Sequence, residues 1–281
     1  MDKPVVLVTG STDGLGRAVA HRFAGEGYTV LLHGRSEQRC MDTKKELISQ
    51  YPSVDIRCYT ADFTRLSDIF RLIAQVKERE SRLDILINNA GVGIEQQRSV
   101  TEDGLELVLQ VNYLATYALS LSLMPLLSQK RGRVICVSSS SQATVDFSDP
   151  NYENAWNGVE AYAKSKWAQA AFALALARRH NYMGCTIHAL HPGSFMPTKL
   201  VAGKFPIVDS LGKGVEAVWH LATCARDEFP NGGYVDGIQN AQALPSAYDE
   251  YLQEQLILIS ETMLNSHANR NNGLTWEALR S

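Results

Sequence analysis

Residues 5–16 read VVLVTGSTDGLG and decide the fold of this 281-residue chain. The four apolar residues at 5–8 predict a short strand that is buried on both faces, as in a parallel sheet. Glycines follow at positions 10, 14 and 16, where the strand would turn sharply into a helix. Such a turn lets the backbone approach a pyrophosphate, and the helix N-terminus favours the negative charge. The stretch therefore predicts a dinucleotide site, with an ordinary strand-to-helix turn as the alternative.

Short apolar runs and longer amphipathic stretches alternate along the rest of the chain. Strands are predicted at residues 5–8, 29–32, 54–59, 83–87, 134–137 and 186–190, and helices at 16–25, 37–50, 66–79 and 159–179. This alternation implies right-handed crossovers and an α/β fold, a doubly wound parallel sheet of the Rossmann type with about seven strands flanked by helices.

The chain shows no repeat, low-complexity block or linker, so we expect a single domain. Residues 1–240 would form the nucleotide-binding part, including a substrate flap at about 194–215. Residues 241–281 would add an extra helix, at about 246–264, and a tail packed on the same domain. We expect the last residues of the Asn-rich end to be disordered.

The composition of the chain indicates which binding partners and which cellular compartment to expect. The 27 basic and 30 acidic residues leave a formal net charge of −3, which offers no field for a nucleic-acid backbone. The five cysteines form no CxxC pair, which argues against a disulfide framework and against a metal site. The apolar N-terminal run is too short for a secretory signal, so we expect a cytoplasmic protein. Residues 107–129 are free of charge but carry polar side chains, which favours a buried helix over stable membrane insertion.

The residues at the ends of the second and third predicted strands are candidates to bind the ribose and the adenine of the cofactor. His33 and Arg35 end the second strand. A free ribose 2′-hydroxyl calls for Asp or Glu here, whereas a 2′-phosphate calls for Arg. Arg35 therefore predicts NADP(H) rather than NAD(H), with a solvated arginine as the alternative. After the third strand, Asp62 and Phe63 would hold and cover the adenine, unless Asp62 caps the next helix.

Tyr162 and Lys166 stand four residues apart in the run YAKSK, one turn apart on one face of a predicted helix. An ammonium favours the phenolate, so Lys166 would bring the pKa of Tyr162 toward neutrality and make it a proton donor. Four serines, Ser138 to Ser141, end the fifth strand at the edge where ligands bind in open α/β sheets. One of them would polarise a carbonyl, while the others start a polar loop.

Together these residues resemble the short-chain dehydrogenase/reductase family. TGSTDGLG, the run NNAG at 88–91, Asn112, the serine strand end, YAKSK and the run HPG at 191–193 occur in the family's order over about residues 5–200. The resemblance implies that Ser139 orients the substrate oxygen and that Tyr162 passes the proton. It also implies that Lys166 binds the nicotinamide ribose and tunes Tyr162, and that Asn112 supports a proton-relay water.

The resemblance implies a cofactor site as well. Its residues would be Gly10, Ser11, Thr12, Asp13, Gly14, Leu15, Gly16, His33, Arg35, Asp62, Phe63, Asn89, Ala90, Gly91, Tyr162, Lys166, Pro192, Gly193 and Thr198. Asp13 stands where some NADP-linked members carry a basic residue, so the preference for NADP(H) depends on Arg35, helped by Arg17 or Arg39. The 23 positions from Ser139 to Tyr162 and the C-terminal helix resemble the branch of retinol dehydrogenases and WW-domain oxidoreductases.

These expectations describe an NADP(H)-dependent oxidoreductase that interconverts a carbonyl and an alcohol on a medium-sized hydrophobic substrate. Its pocket would be lined by Phe147, Trp156, Phe195, Met196, Leu200 and Phe205. Relatives commonly pair through the helices beginning near Leu107 and Val159, so a homodimer or homotetramer is expected. The alternatives are a non-catalytic NADP(H)-binding redox sensor, which needs only the nucleotide site, and a carbon–carbon double-bond reductase with the same cofactor and tyrosine.

Overall fold

A computed structural model describes residues 3–180, 183–201, 203–268 and 274–280. Within them one sheet runs in the order β3-β2-β1-β4-β5-β6-β7-β8. The strands are β1 (Val5–Val8), β2 (Thr29–Gly34), β3 (Ile56–Thr60), β4 (Ile85–Asn88), β5 (Arg133–Val137), β6 (Thr186–His191), β7 (Tyr234–Asp236) and β8 (Gln239–Ala241). Seven strands are parallel and β8 is antiparallel to β7. The doubly wound sheet is confirmed, with an antiparallel edge strand beyond the expected seven.

Helices cover both faces of the sheet. They are α1 (Gly14–Gly25), α2 (Glu37–Gln50), α3 (Leu66–Arg79), α4 (Ala115–Ser128), α5 (Gly158–Arg179), α6 (Leu211–Thr223), α7 (Glu250–Ala268) and α8 (Trp276–Arg280). Alternate residues of β1 face opposite cores: Val6 and Val8 pack toward α1 and α6, while Val5 and Leu7 pack toward α3 and α4. The strand order reverses between β1 and β4, which opens a crevice at their carboxyl ends.

The predicted bounds of α2 and α3 match the structure, and other elements differ for local reasons. Helix α1 begins two residues early because the Asp13 carboxylate caps it, accepting a hydrogen bond from the Gly14 N–H. Strand β3 begins at Ile56, since the Val54 N–H closes a turn onto the Tyr51 carbonyl. Residues 109–128 are long and apolar enough to cross a membrane, but 83% of the apolar window is buried in the fold. The predicted buried helix is therefore confirmed, although its first turn is a π-helix, Leu109–Leu114.

The C-terminal segment packs on α4 and α5. The Tyr113 hydroxyl lies 2.7 Å from the Ser260 hydroxyl, and the Tyr117 hydroxyl donates to the Glu261 carboxylate at 2.6 Å. The Trp276 ring of α8 is buried against Phe70 and Tyr117. The expectation of a disordered end is thus wrong for residues 276–280, while residues 269–273 and 281, on which it also falls, lie outside the described residues. The expected extra helix begins at Glu250, after a 3-10 turn, Pro245–Tyr248.

The packing of the C-terminal segment also bears on how two subunits could pair. The helices beginning near Leu107 and Val159, predicted to pair two subunits, are α4 with its π-helical first turn and α5. Helix α7 lies on α5, and α8 lies on α4. The C-terminal segment therefore occupies, within one chain, part of the surface that the resemblance assigned to a second subunit.

Candidate active site

Tyr162 and Lys166 lie on α5, whose first turn is capped by the Asn157 side chain. The Lys166 ammonium is buried 5.7 Å from the centre of the Tyr162 ring. It donates to the Val137 carbonyl at 2.8 Å and to the Gln169 side-chain oxygen at 2.9 Å. Burial lowers the pKa of Lys166 to about 8. The amine is thus poised to change its charge just above neutral pH.

Burial raises the pKa of Tyr162 above its ordinary value, and a hydrogen bond with Ser139 opposes that rise. The expectation that Lys166 brings the pKa of Tyr162 toward neutrality is therefore wrong for this structure, because loss of solvent is the larger effect. Tyr162 accordingly holds its proton at neutral pH. In that state it can donate the proton to an oxygen.

The structure distinguishes the four serines that follow β5. Ser138 is buried, and its hydroxyl donates to the Lys166 carbonyl at 2.7 Å. Ser139 is half-buried, bonds Tyr162 and accepts from the Ser141 N–H at 3.1 Å. Ser140 and Ser141 are exposed. Ser139 is therefore the serine whose hydroxyl faces the tyrosine.

Asn112 lies in the π-helix and joins the segment after β4 to α5. Its side-chain oxygen accepts from the Val92 N–H at 2.8 Å, and its amide donates to the Val92 carbonyl at 3.1 Å and the Ser165 hydroxyl at 3.0 Å. Ser165 in turn donates to the Tyr162 carbonyl at 2.7 Å. The Asn112 side chain is thus committed to holding these elements, and its support of a proton-relay water stays a prediction.

The glycine-rich loop packs tightly against the segment after β4. Gly10 has a φ of 67°, and a Cβ there would lie 2.9 Å from the Ala90 Cα. A Cβ on Gly16 would lie 2.3 Å from the Gly10 carbonyl oxygen. The Asn89 amide donates to the Thr9 carbonyl at 2.8 Å and ties the two segments together. A bare backbone at a helix N-terminus results, and such a cradle fits a pyrophosphate.

Several residues predicted to contact the cofactor have side chains that are buried in the fold. His33 is buried; its Nδ1 accepts from the Gly10 N–H, and its Nε2 donates to the Ala61 carbonyl, both at 3.1 Å. Its ring stacks on the buried Phe63, with ring centres 4.3 Å apart. Burial lowers the pKa of His33 to about 4, which keeps it neutral. Ser11 and Leu15 are buried as well.

Basic side chains gather at the end of β2. Arg35 is exposed, and Arg39 donates to the Thr12 carbonyl at 3.2 Å and to the Asp13 carboxylate at 2.8 Å. Lys199 contacts the same Asp13 oxygen at 2.6 Å. Its hydrogen bond is the largest cause that lowers the pKa of Asp13 to about 2. Two cations therefore offset the acid in the glycine-rich loop, whereas Arg17 pairs with Glu46.

Asp62 does not cap α3. Its carboxylate accepts from the Thr64 N–H at 3.0 Å and from the Thr64 hydroxyl at 2.9 Å, which forms a local turn. The Leu66 N–H donates instead to Asp103, at 2.7 Å, from a distant loop. The capping alternative for Asp62 is therefore wrong, and its contact with adenine stays a prediction.

The remaining predicted cofactor residues lie at the same edge of the sheet. A Cβ on Gly91 would lie 3.1 Å from the Asn112 side-chain oxygen. Pro192 and Gly193 follow β6, and Gly193 has a φ of 149°.

A family model described as short chain dehydrogenase matches residues 4–206. The chain belongs to the short-chain dehydrogenase family.

Relatives place this short-chain dehydrogenase in the branch of retinol dehydrogenases, as the resemblance implied. It is 30% identical to human Retinol dehydrogenase 13 over 270 residues, covering 89% of this chain and 81% of the relative. It is 33% identical to Putative daunorubicin C-13 ketoreductase DnrU from Streptomyces sp. (strain C5) over 241 residues, covering 82% and 81%. The fold is similar to the alcohol dehydrogenase from Thermococcus sibiricus complexed with 5-hydroxy-NADP (TM-score 0.65, 20% identity, 86% and 100% covered).

The flap of this short-chain dehydrogenase lies over the glycine-rich loop and ends where α6 begins, at Leu211. The Thr198 methyl lies 3.3 Å from the position of a Cβ on Gly14. At the base of the flap, the Ser194 N–H donates to the Asp209 carboxylate at 2.7 Å, and the Ser194 hydroxyl lies 3.1 Å from the His191 Nε2. Hydrogen bonds thus hold the base of the flap, and the Thr198 methyl packs against the glycine-rich loop.

The six predicted pocket residues separate into two groups. Phe195, Leu200 and Phe205 are on the flap, with the two phenyl rings 5.2 Å apart and Phe195 and Leu200 exposed. Met196 is buried between α1 and α6, so it belongs to the core. Phe147 and Trp156 are partly buried against the other core, and the Trp156 indole donates to Glu106 at 3.2 Å. Phe195 and Leu200 are the exposed side chains of this set, and contact of Phe147, Trp156 and Phe205 with a substrate stays a prediction.

The structure adds site residues that the sequence did not indicate. A cavity beside Ser140 is lined by the segment around β8 and by Gln142 and Tyr234. The Tyr234 hydroxyl donates to the Ser139 carbonyl at 2.9 Å, and the Gln142 amide donates to the same carbonyl at 2.9 Å. These two side chains therefore hold the backbone of the serine that faces Tyr162.

Proposed function

We propose that the protein is an NADP(H)-dependent oxidoreductase that interconverts a ketone or aldehyde and an alcohol on a medium-sized hydrophobic substrate. The observation that carries the proposal is the meeting of Ser139, Tyr162 and Lys166 at the carboxyl end of β5, beside a glycine-rich loop. An uncharged tyrosine bonded to a serine and next to a buried ammonium suits proton transfer to an oxygen.

In carbonyl reduction, bound NADPH supplies the hydride. Tyr162 gives its proton to the substrate oxygen, and the Ser139 hydroxyl donates a hydrogen bond to the charge that develops on that oxygen. The Lys166 ammonium stabilises the phenolate that is left behind. Solvent then returns a proton to Tyr162. In alcohol oxidation each proton moves in the opposite direction.

The preference for NADP(H) is supported by the charges around the end of β2. Arg35 is exposed there, and Arg39 lies over the Thr12 carbonyl. Guanidinium groups bind a phosphate through charge-assisted hydrogen bonds, which a ribose 2′-phosphate would accept. Asp13 is the one acid within hydrogen-bond distance of Arg39 among the described residues, and Lys199 offsets it.

The hydrophobic substrate class is supported by the flap, where Phe195, Leu200 and Phe205 offer apolar surface near the glycine-rich loop. The names of the relatives, a retinol dehydrogenase and a putative daunorubicin C-13 ketoreductase, point to bulky substrates with a large apolar part. We propose a carbonyl compound or alcohol of that kind.

We propose that the protein is cytoplasmic and acts without nucleic acid or stable membrane insertion. The net charge of −3 supports the absence of nucleic acid, and the burial of residues 109–128 supports the absence of membrane insertion. We also propose a homodimer or homotetramer whose interface is not formed by α4 and α5, since α7 and α8 pack there. Light scattering coupled to size-exclusion chromatography measures the oligomeric state. A dimer that persists when α4 carries surface charges is expected, and a dimer that dissociates in that variant would contradict the choice of interface.

Oxidation of NADPH by the purified protein against a panel of aldehydes, ketones and enones tests the proposal, with Tyr162→Phe as the matched control. We expect aldehydes or ketones to be reduced by the wild type and not by the variant, while the NADPH dissociation constant stays within a few-fold. Reduction of enones alone would indicate the double-bond reductase. Tight NADPH binding without turnover of any compound would favour the redox sensor, and full activity of Tyr162→Phe would overturn the role of the tyrosine.

A further inference from the structure

The buried Lys166 ammonium is held by a side chain outside the four residues that the family resemblance assigned. Gln169 follows Lys166 by one turn of α5 and is fully buried. Its side-chain oxygen accepts from the Lys166 Nζ at 2.9 Å. Its side-chain nitrogen donates to the Thr116 hydroxyl oxygen at 3.2 Å. Both ends of one amide are therefore used, one on the lysine and one on a neighbouring helix.

Thr116 sets the orientation of that amide. Its hydroxyl donates to the Asn112 main-chain carbonyl at 3.0 Å, so its oxygen can only accept from Gln169. If the amide flipped, its oxygen would face another acceptor and its nitrogen would face an ammonium. The flipped amide would lose both hydrogen bonds in a buried place, which is costly. A continuous set of hydrogen bonds thus runs from Asn112 through Thr116 and Gln169 to Lys166.

We infer that Gln169, oriented by Thr116, is a positioning residue that keeps Lys166 charged and aimed at Tyr162. The inference rests on the proposed function and adds two residues to the site. An ammonium has three hydrogens, of which the Val137 carbonyl and Gln169 accept two. The third is left for the side on which Tyr162 and the ribose would lie. Without Gln169, the buried Lys166 ammonium would have a single hydrogen-bond acceptor among the described residues, the Val137 carbonyl.

The other groups that act on the Lys166 charge do not replace Gln169. On α5 the neighbour is Tyr162, which is neutral near pH 7. On β5 it is Cys136, whose pKa burial raises to about 12, and on β6 it is His191, whose pKa burial lowers. All three are thus uncharged near pH 7. From the π-helix and α4 the neighbours are Asn112 and Thr116, which do not titrate. The ammonium is consequently stabilised mainly by dipoles, and Gln169 supplies one of the two that accept its hydrogens.

The charge of Lys166 is measured directly by an NMR titration of isotope-labelled lysine ε-carbons, in which Lys166→Met assigns the resonance. We expect a wild-type pKa of about 8 and a value lower by ~1 unit in Gln169→Leu, because a hydrogen bond to a charged group is lost. Gln169→Glu adds a carboxylate and should raise the pKa instead. A merely structural role would not give opposite shifts for the two variants.

Turnover gives the second readout. As pH rises through the pKa of Lys166, the kcat/KM of carbonyl reduction should fall. In each variant, the pH at which kcat/KM falls should shift by the same amount as the Lys166 pKa measured by NMR. Thr116→Val should lower the pKa less than Gln169→Leu does, and Thr116→Ser should restore it. Gln253→Leu is the control, because Gln253 is a buried glutamine of α7 that bonds Ala247 and Arg178. It should lose stability without moving either readout.

An unchanged Lys166 pKa in Gln169→Leu, with the variant folded, would overturn the inference. A shift of the same size in Gln253→Leu would also overturn it, because the effect would then be general destabilisation. If the wild type turns over no substrate, the proposed function fails on its own. The NMR titration still decides whether Gln169 holds the lysine.

Discussion

Lys199 of the flap and Asp13 of the glycine-rich loop form an ion pair, with the Lys199 Nζ 2.6 Å from the Asp13 Oδ2. Arg39 contacts the same carboxylate from α2, so three separate segments meet at one acid. The side chains of Lys199 and Asp13 are 78% and 40% exposed, and a pair so open to solvent contributes little to folding. Its place suggests an effect on the cofactor cleft, where an uncompensated acid would repel phosphate.

Lys199→Met should therefore weaken NADPH binding while the free energy of unfolding changes little. We expect the dissociation constant to rise about three- to fivefold at low salt, and the difference to shrink as salt is added. Fluorescence titration with NADPH measures this. Lys204→Met is the matched control, since Lys204 is also a flap lysine but contacts only the Ile94 carbonyl among the described groups. Equal weakening by both variants would show that net charge, and not the pair, is responsible.

Arg35→Asp should shift the cofactor preference toward NADH. Arg35 is exposed at the end of β2, and Asp would repel a 2′-phosphate and accept a hydrogen bond from a free 2′-hydroxyl. We expect the ratio of kcat/KM with NADPH to that with NADH to fall ~10- to 100-fold, the size of a charge-assisted hydrogen bond. Arg17→Asp serves as the control because Arg17 pairs with Glu46. A ratio that does not change in Arg35→Asp would exclude the 2′-phosphate role.

Features set by neighbouring residues could be predicted from the sequence. The bounds of α2 and α3 match their apolar spacing, and the glycine-rich loop follows β1 because strand, turn and helix signals are contiguous. Tyr162 and Lys166 share a helix face for the same reason. Ser139 could be singled out among four serines only through resemblance. In the structure the Ser138 hydroxyl is bonded to the Lys166 carbonyl instead.

Features set by residues far apart in the sequence could not be predicted. The N-terminus of α3 is capped by Asp103, 37 positions away, rather than by the nearby Asp62. His33 faces the core because its ring fits between the Gly10 N–H and the Ala61 carbonyl, and no local pattern encodes that fit. Helix α8 has five residues and owes its place to the burial of Trp276. Such elements depend on tertiary contacts rather than on periodicity.

His33 should make the protein less stable in mild acid. Burial lowers its pKa from 6.5 to about 4, so between these values the unfolded chain binds a proton that the folded protein does not. The free energy of unfolding therefore falls as pH falls from 6.5 toward 4, by about 3 kcal/mol for this group. Below that range the folded state is protonated too, and the dependence ends.

Urea unfolding between pH 4 and 7 measures this contribution when wild type is compared with His33→Gln. In the variant, the slope of the free energy of unfolding against pH should be smaller by the amount that corresponds to about one bound proton. The contribution of His188, whose pKa burial also lowers to about 4, should remain in both proteins. Identical slopes would mean that His33 does not titrate differently in the folded and unfolded states.

Glu261 should be needed to hold the C-terminal segment on the domain. Its carboxylate accepts from the Tyr117 hydroxyl at 2.6 Å, the Trp276 indole at 2.9 Å and the Arg280 guanidinium at 2.6 Å. Glu261→Ala leaves a buried hydroxyl and an indole N–H without their acceptor, so we expect the free energy of unfolding, measured in urea, to fall by about 2–4 kcal/mol.

Glu254→Ala is the control. Glu254 lies on the same helix and pairs with arginines, but its side chain is 44% exposed against 19% for Glu261. It should cost less than about 1 kcal/mol. Equal losses in the two variants would mean that α7 is held by its apolar face, and that the carboxylate cluster contributes no more than a surface ion pair.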